Sequence, residues 1–168
     1  MRTPVHAGIL FPTYKISIKV IELINYEDKF HADFKRLNME WLEKYNLVES
    51  HDLEVLDDPK GTVIARGGCI FLAADGNTII GTAGLWKNNE HEYELIKMFV
   101  LTEYRGRGIS KLLLDKCIAE AKQRGAKKII LYSNSQLQTA IKLYEKYGFE
   151  HIPVIDAPFL TADVKMEL

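Results

Sequence analysis

The stretch from residue 93 to residue 133 constrains the fold of this chain more than any other feature. An apolar run, YELIKMFVL at 93–101, leads into the glycine-containing segment EYRGRG at 103–108. A helical pattern follows and stops at Gly125, and a second apolar run, AKKIILYS, occupies 126–133. Two strands joined through a helix in this way lie parallel in one sheet, with a right-handed connection. The sequence therefore predicts one parallel strand–helix–strand unit.

The segments on either side of this unit predict antiparallel strands. Residues 15–24 alternate and are rich in isoleucine and valine, and residues 67–86 give two strands around a turn at 75–77. Residues 149–154 and 162–168 supply the closing strands. The expected fold is mixed α/β, with a central, mostly antiparallel twisted sheet and helices on both faces.

Three further segments predict helices. Asn25 can cap the first helix, in which apolar residues recur at helical spacing; they are Phe30, Phe34, Leu37 and Trp41. A shorter helical pattern covers 49–59. Another covers 135–147 and ends at Gly148, a residue type that commonly follows the last turn of a helix.

Length, charge and cysteine usage narrow the class of protein. The 168 residues fit one domain, expected at 15–168 behind a loose N-terminal arm at 1–14. The formal net charge is −1 and lysine and arginine form no long run, so no nucleic-acid partner is expected. No apolar run approaches the ~20 residues of a membrane helix. Cys69 and Cys117 stand alone in apolar surroundings, so we expect buried thiols in a reducing cytoplasm.

The glycine-containing segment is a candidate diphosphate site. The start of a helix offers unpaired N–H groups and a partial positive charge, and glycines let an anion approach those donors closely. Arg105 and Arg107 add positive charge at the same place. The alternative interpretation is a tight strand-to-helix turn with two solvated arginines.

Three phosphate-binding patterns can be compared with this segment. The Walker pattern requires GxxxxGK[ST], a spacing that GRGISK does not supply. The dinucleotide pattern GxGxxG begins with Gly106 and Gly108 but meets Lys111 where its third glycine should stand. A third pattern, Arg-x-x-Gly-x-small, is satisfied by Arg105, Gly108 and Ser110.

Two segments resemble the acetyl-CoA-binding core of the GNAT family of N-acetyltransferases. They are MFVLTEYRGRGISKLLL at 98–114 and AIKLYEKYGF at 140–149, and the resemblance covers roughly residues 67–150. The family's first motif ends in Gly or Ala, where this chain has Ser110, which is still small. In the second motif an asparagine is common three residues before the alanine; Leu137 stands there, and Asn134 is the nearby candidate to replace it.

The resemblance implies that acetyl-CoA is the co-substrate. In this family the strand before the glycines carries a bulge and diverges from the next strand, which opens a V-shaped slot for the pantetheine arm. Backbone groups of Met98, Phe99 and Val100 would pair with that arm. The other expected cofactor contacts are Arg105, Gly106, Arg107, Gly108, Ile109 and Ser110 at the pyrophosphate, and Asn134. No metal is expected, because HEYEL at 91–95 has leucine where a zinc-binding helix needs its second histidine.

The resemblance also implies direct transfer of the acetyl group to a primary amine. Glu94, on the strand facing the slot, is the candidate base that takes the amine's proton. Glu92, Tyr93 and His91 compete for this role, and a surface or salt-bridged carboxylate is the non-catalytic alternative. Tyr144 is the candidate acid that protonates the departing sulfur; the alternative is a packed core ring with a satisfied hydroxyl.

No motif identifies the acceptor. The first helix and the loop at 45–66 should shape its slot, and Trp41 is a candidate contact there. The short chain favours a small molecule over a peptide or protein, and a monomer or homodimer is expected. Two other functions stay open, a non-catalytic acyl-CoA-binding module and a dinucleotide-binding domain. Binding competition between coenzyme A and a dinucleotide would distinguish a dinucleotide-binding domain from the two functions that use coenzyme A.

Overall fold

The computed structural model describes residues 20–168, and they form a seven-stranded sheet with helices around it. The strands are β1 (Ile21–Asn25), β2 (Cys69–Asp75), β3 (Thr78–Lys87), β4 (Glu92–Val100), β5 (Lys128–Ser133), β6 (Glu150–Ile152) and β7 (Val164–Glu167). Their order across the sheet is β1-β2-β3-β4-β5-β7-β6. The arm expected at 1–14 and the first half of the strand expected at 15–24 lie outside the described residues.

Four α-helices connect these strands. They are α1 (His31–Lys44), α2 (Ser50–Asp57), α3 (Ile109–Gln123) and α4 (Gln138–Lys146). Short 3-10 turns at Asp28–Phe30 and Thr102–Tyr104 precede α1 and α3, and a π-helical turn spans Lys60–Ile64. Within residues 20–168, no helix combines the length and the apolar composition needed to cross a bilayer.

The predicted parallel unit is confirmed. β4 and β5 pair in parallel across α3, and the other strand pairs in the described sheet are antiparallel. β2 from Ile70 to Asp75 and β3 from Ile79 to Leu85 are buried at every position. Because neighbouring strand residues point to opposite faces, both faces of the sheet centre must be covered. Both α1 and α3 contact β3 and β4, as expected for a mixed α/β fold.

Two predicted helix boundaries were wrong. Asn25 does not cap the first helix, because it pairs with Phe71 as the last residue of β1, and α1 begins six residues later. The helix expected at 135–147 begins at Gln138, because the amide of Leu137 donates to the carbonyl of Asn134 and closes a turn there. In both cases hydrogen bonds to neighbouring backbone outweigh the local helical pattern.

Candidate active site

The sheet opens between β4 and β5. Their parallel pairing runs from Glu92 opposite Lys128 to Glu94 opposite Ile130 and goes no further, although both strands continue. The predicted divergence of these two strands is therefore confirmed. The backbone of β4 beyond Glu94 faces the space between the strands.

A bulge in β4 accompanies this opening. Between the pairs Thr82–Phe99 and Gly84–Ile96, β3 contributes one residue and β4 contributes two. One of these two is Lys97, whose φ of 52° lies in the left-handed region that non-glycine residues rarely adopt. The bulge is thus built without a glycine, and other contacts must hold it.

A buried chain of hydrogen bonds holds the bulge. The Asn38 amide on α1 donates to Thr82 Oγ1 at 3.2 Å and to the Phe34 carbonyl at 2.9 Å. The Thr82 hydroxyl in turn donates to the carbonyl of Lys97 at 2.6 Å. Asn38 and Thr82 are fully buried, so these bonds are shielded from water and fix the bulged backbone against α1.

The space between the diverging strands is a cavity of about 710 Å³, here called the main cavity. It is bounded by β4, β5, the glycine segment and α4. Most of the site residues predicted from the sequence line it; they are Glu94, Met98, Phe99, Val100, Arg105, Gly106, Gly108, Ile109, Ser110, Asn134 and Tyr144. The structure thus brings together residues that lie up to fifty positions apart in the chain.

The glycine segment presents free backbone donors at one end of the main cavity. The amides of Arg105 and Leu112 donate to the carbonyls of Thr102 and Gly108. Between them, the six amides of residues 106–111 find no acceptor in the described part of the chain. Gly106 and Gly108 have φ values of 75° and 79°, and a Cβ on either would have no protein atom within 4 Å. The segment is therefore open on the side from which an anion would approach.

The two arginines of this segment differ in position. Arg105 lines the main cavity, and its Nε donates to the carbonyl of Val100 at 3.2 Å. Arg107 does not line it; its Nη2 donates to the Glu103 carbonyl at 3.2 Å, and its guanidinium lies 4.9 Å from the Tyr104 ring centroid. Of the two arginine side chains, only that of Arg105 is therefore placed to reach a ligand in the main cavity.

Glu94 lies where β4 and β5 separate. Its side chain is 8% exposed and makes no hydrogen bond to any described residue. Burial raises its pKa to about 7, while the charges of Lys97 and Lys165 act in the opposite direction. A carboxyl group with this pKa exchanges protons readily near neutral pH.

The residues that compete with Glu94 are placed less favourably. His91 is exposed, and neither His91 nor Tyr93 lines the main cavity. Glu92 does not line it either, and its carboxylate accepts a hydrogen bond from Asn88 Nδ2 at 3.0 Å. Among these carboxylates and rings, Glu94 alone faces the main cavity.

Tyr144 reaches the same cavity from α4. Its ring is buried and packs 5.7 Å from the ring of Phe149. Burial raises the pKa of its hydroxyl well above the usual value, so the phenol stays protonated throughout the neutral range. No hydrogen bond joins this hydroxyl to the described residues, and since no polar side-chain atom there is both sealed from solvent and unpartnered, the hydroxyl is open to a ligand in the cavity.

The two cysteines are poor nucleophiles. Cys117 is buried as expected, whereas Cys69 is only partly covered. Burial raises the pKa of Cys69 to about 11 and that of Cys117 well above its ordinary value. Since the thiolate is the reactive form, neither side chain is suited to carry an acyl group near neutral pH.

Asn134 lines the main cavity, but its side chain is already engaged. Its Nδ2 donates to the Thr161 carbonyl at 2.7 Å, and its Oδ1 accepts from the amide of Gln136 at 3.0 Å. These bonds order the turn before α4 and attach it to the segment around Thr161. A contact from Asn134 to a ligand stays a prediction.

Sequence reasoning missed a buried ion pair beside Glu94. Lys97 Nζ donates to Asp52 Oδ1, and both side chains are buried. The sequence held one indication, because Lys97 is the single charged residue in the apolar run 95–101. Its partner lies 45 residues away on α2, where no local pattern marks it.

Sequence reasoning also missed the wall formed by residues 158–162. Glu49 accepts hydrogen bonds from the amides of Leu160 and Thr161, both at 2.8 Å, and from the Thr161 hydroxyl at 2.6 Å. These bonds lower the pKa of Glu49 and hold Phe159 against the cavity. Across the part of the chain that the structure describes, no group of three or more His, Cys, Asp or Glu is arranged to hold a metal ion.

Comparisons with known proteins find matches to both the sequence and the fold. The model of the acetyltransferase (GNAT) family matches residues 32–149. An uncharacterized N-acetyltransferase of Mycobacterium bovis is 30% identical over 105 residues, which are 62% of this chain and just under two thirds, 63%, of that protein.

Solved structures match over most of the chain. A GNAT-family acetyltransferase of Staphylococcus aureus superposes with a TM-score of 0.80 at 25% identity, over 88% of this chain and 98% of that one. An N-acetyltransferase of Thermoplasma acidophilum in complex with coenzyme A has a TM-score of 0.68 at 20% identity, again over 88% and 98%.

Proposed function

The chain belongs to the acetyltransferase (GNAT) family, and we propose that it transfers the acetyl group of acetyl-CoA directly to a primary amine. One observation carries this proposal. Five of the six residues with free amides at the start of α3, all except Arg107, line one end of the cavity that also contains Glu94 and Tyr144. A diphosphate site and an acid–base pair in one cavity are what acetyl transfer from coenzyme A requires.

The cavity fits the shape and chemistry of the proposed co-substrate. The amides of 106–111 and the guanidinium of Arg105 would bind the pyrophosphate, because they combine a helix N-terminus with a positive charge. The backbone of Met98 and Phe99 lies along the open side of β4, where an extended amide-bearing arm can add as a further strand. Acetyl-CoA supplies the activated acyl group, a thioester.

Glu94 is the proposed base. An amine is protonated at neutral pH and must lose a proton before it can attack a carbonyl carbon. The carboxylate of Glu94 takes that proton, directly or through one water, and its raised pKa makes it a stronger base than an exposed glutamate. Its place at the separation of β4 and β5 puts it beside both strands that bound the cavity.

Tyr144 is the proposed acid. Cleavage of the thioester leaves a thiolate, which is stabilised by a proton from a nearby donor. The Tyr144 hydroxyl is protonated and lacks a protein acceptor among the described residues, so it can give this proton or a hydrogen bond to the sulfur. The high pKa values of the cysteines support direct transfer over an acyl-cysteine route.

We further propose that the acceptor is a small molecule. A second cavity of about 250 Å³, here called the side cavity, adjoins the main cavity at Glu94. The two cavities share five lining residues; they are Glu94, Ile96, Lys97, Tyr132 and Phe159. An amine held in the side cavity would therefore reach the thioester past the proposed base.

Calorimetric titration and thiol release test the proposal together. We expect acetyl-CoA to bind more tightly than NAD to the full chain. In a screen of amino acids, polyamines, aminoglycosides and peptides, at least one amine should then release free thiol and yield an acetylated product. Preference for NAD would indicate a dinucleotide-binding domain. Binding of acetyl-CoA without thiol release by any amine would indicate a non-catalytic module.

A further inference from the structure

The side cavity has the dimensions of a site for a small ligand. Its volume of about 250 Å³ is just below the ~300–1,000 Å³ that is usual for small-molecule sites. Glu94 forms one wall. Phe159 forms another, in the segment 158–162 that hydrogen bonds attach to Glu49. A compact amine can be held within this volume, whereas a polyamine or a peptide would extend into the main cavity or into solvent.

Four side chains with aromatic rings line the side cavity. The ring of His51 lies 5.7 Å from the ring of Trp86 and 5.1 Å from the ring of Phe159, both edge to face. The Phe159 ring lies 6.3 Å from the ring of Tyr132. All four residues line the cavity. Such a wall favours a ligand whose body is aromatic or branched and apolar.

Lys165 brings a positive charge to the side cavity, whose lining also includes the carboxyl groups of Glu92 and Glu94. It lies on β7, opposite Tyr132, and its Nζ is 5.1 Å from the centroid of the Tyr132 ring. Within the described residues no carboxylate lies within 4.0 Å of this Nζ, whereas the other lysine of the cavity, Lys97, is paired with Asp52. Lys165 is therefore the lysine of this cavity that can still pair with an anionic group of a ligand.

Glu94 and Lys165 point to the same face of the sheet. Glu94 is opposite Ile130 and Lys165 is opposite Tyr132, and these two residues of β5 lie on one face because they are two positions apart. Glu94 lies on β4 and Lys165 on β7, and these two strands flank β5, so they are about 10 Å apart. The long side chain of Lys165 shortens the distance between its ammonium group and the Glu94 carboxyl group. The charge of Lys165 also lowers the pKa of Glu94, as expected for groups that face one cavity.

We propose that the side cavity binds the acceptor and that this acceptor is a free α-amino acid with an aromatic or branched apolar side chain. Its carboxylate pairs with Lys165, its amine faces Glu94, and its side chain packs against the rings of His51, Trp86 and Phe159. This proposal rests on the proposed acetyl transfer. Glu94 takes one proton from the ammonium group, and the amine nitrogen bonds to the acetyl carbon. The carbon–sulfur bond then breaks with its electron pair on sulfur, and the Tyr144 hydroxyl protonates the thiolate, so that coenzyme A leaves as a thiol. The second proton that the nitrogen loses on becoming an amide restores the Tyr144 hydroxyl.

Matched acceptors and matched lysine variants test this proposal. L-phenylalanine and 2-phenylethylamine differ by the carboxylate alone, so we expect the parent protein to have a higher kcat/KM for phenylalanine. In Lys165→Met this preference should fall about tenfold or more, as expected for the loss of one hydrogen-bonded charge pair, mainly through a higher KM. Lys165→Arg should restore much of it. Lys128→Met is the control, because Lys128 is an exposed lysine that pairs with Glu167 and lines neither cavity.

The outcomes separate this inference from the proposed function. If a polyamine or a peptide releases thiol while phenylalanine and leucine do not, the inference is wrong and the acetyl transfer stands. An unchanged preference in Lys165→Met, in a variant that melts like the parent, also overturns the inference. If no amine of any class releases thiol, both the proposed function and this inference fail. All assays are run at pH 9, well above the pKa of Glu94. At this pH the loss of the Lys165 charge does not change the ionisation of Glu94.

Discussion

Lys97, the residue at the bulge of β4, is paired inside the core with Asp52 of α2. The two side chains are only 5% and 4% exposed, so their charges are almost completely removed from water. The pair joins α2 to the bulged strand three residues from Glu94. The position of the proposed base therefore depends on a contact between segments 45 residues apart in the chain.

Removing one charge of this pair should destabilise the protein strongly. Asp52→Asn leaves a buried ammonium without its counterion, and we expect a loss of about 3–5 kcal/mol in the free energy of unfolding. The double variant Asp52→Asn/Lys97→Met removes both charges and should recover most of that loss. Urea denaturation of the three proteins measures the effect. A single variant as stable as the parent would show that the ion pair does not hold α2 to β4.

Blocking the free amides should weaken acetyl-CoA binding. Gly108→Val places a branched side chain where the structure is open and forces φ of 79° on a residue that disfavours it. Gly125→Val is the matched control, because Gly125 has φ of 80° and equally open surroundings but does not line the main cavity. Both variants should lose stability, by roughly 1–2 kcal/mol or more. Calorimetry should show weaker acetyl-CoA binding only for Gly108→Val. Equal affinities in the two variants would show that the free amides at the start of α3 do not bind the pyrophosphate.

Replacing the proposed base should remove one ionisation from the pH–rate profile. The active form of Glu94 is the carboxylate, so the rate of the parent should rise with pH through a midpoint near the pKa of about 7. Glu94→Gln should lack this rise and lose more activity at neutral than at alkaline pH, where more of the amine is already deprotonated. Steady-state rates from pH 6 to pH 9.5 measure both effects. A Glu94→Gln profile that overlays the parent profile would remove Glu94 from the mechanism.

The same substitution should increase stability above neutral pH. In the folded protein the pKa of Glu94 is raised from 4.5 to about 7, so the folded state binds more protons than the unfolded state between these values. The parent therefore loses stability as the pH rises through this window, and the uncharged glutamine does not. The two proteins should be alike below pH 4.5, and Glu94→Gln should be more stable by up to roughly 3 kcal/mol above pH 7. Thermal unfolding of both proteins at pH 4 and pH 8 measures the difference in stability. If that difference is the same at the two pH values, the pKa of Glu94 is not raised in the folded protein.

Removing the Tyr144 hydroxyl should slow chemistry without lowering stability. The hydroxyl has no hydrogen-bond partner among the described residues, so Tyr144→Phe should leave the melting temperature unchanged or slightly higher. Single-turnover rates should fall about 10²-fold if the hydroxyl protonates the departing sulfur. Tyr147→Phe is the control, because Tyr147 is half-buried on the same stretch of chain but does not line the main cavity, and this variant should react like the parent. A Tyr144→Phe variant with the parental single-turnover rate would end the proposed role as acid.

The sequence predicted those parts of the site that are encoded locally. Gly106 and Gly108 stand between an apolar strand and an amphipathic helix, and this order alone places free amides at the start of α3. The parallel pairing of β4 and β5 follows from the same order, because a strand–helix–strand connection has one common geometry. These features need no knowledge of residues elsewhere in the chain.

The remaining parts depend on contacts between distant segments and could not be predicted from local patterns. The bulge at Lys97 lacks a glycine and is held by Thr82 and Asn38, which lie on β3 and α1. The side cavity combines His51 with Phe159, which are brought together by hydrogen bonds from the segment around Leu160 to Glu49. In each case a side chain more than forty residues away completes the arrangement.

A single-turnover experiment with the full chain in excess over acetyl-CoA tests the central claim most directly. The acceptor is the amine that gives the fastest thiol release in the screen, and free thiol, acetylated amine and intact protein mass are followed in the same quenched samples. Direct transfer in the main cavity predicts that thiol and acetylated amine appear together and in equal amounts, while the protein mass stays constant. Thiol released ahead of product with an acetylated protein, or acetyl-CoA that stays intact with every amine, would contradict the account.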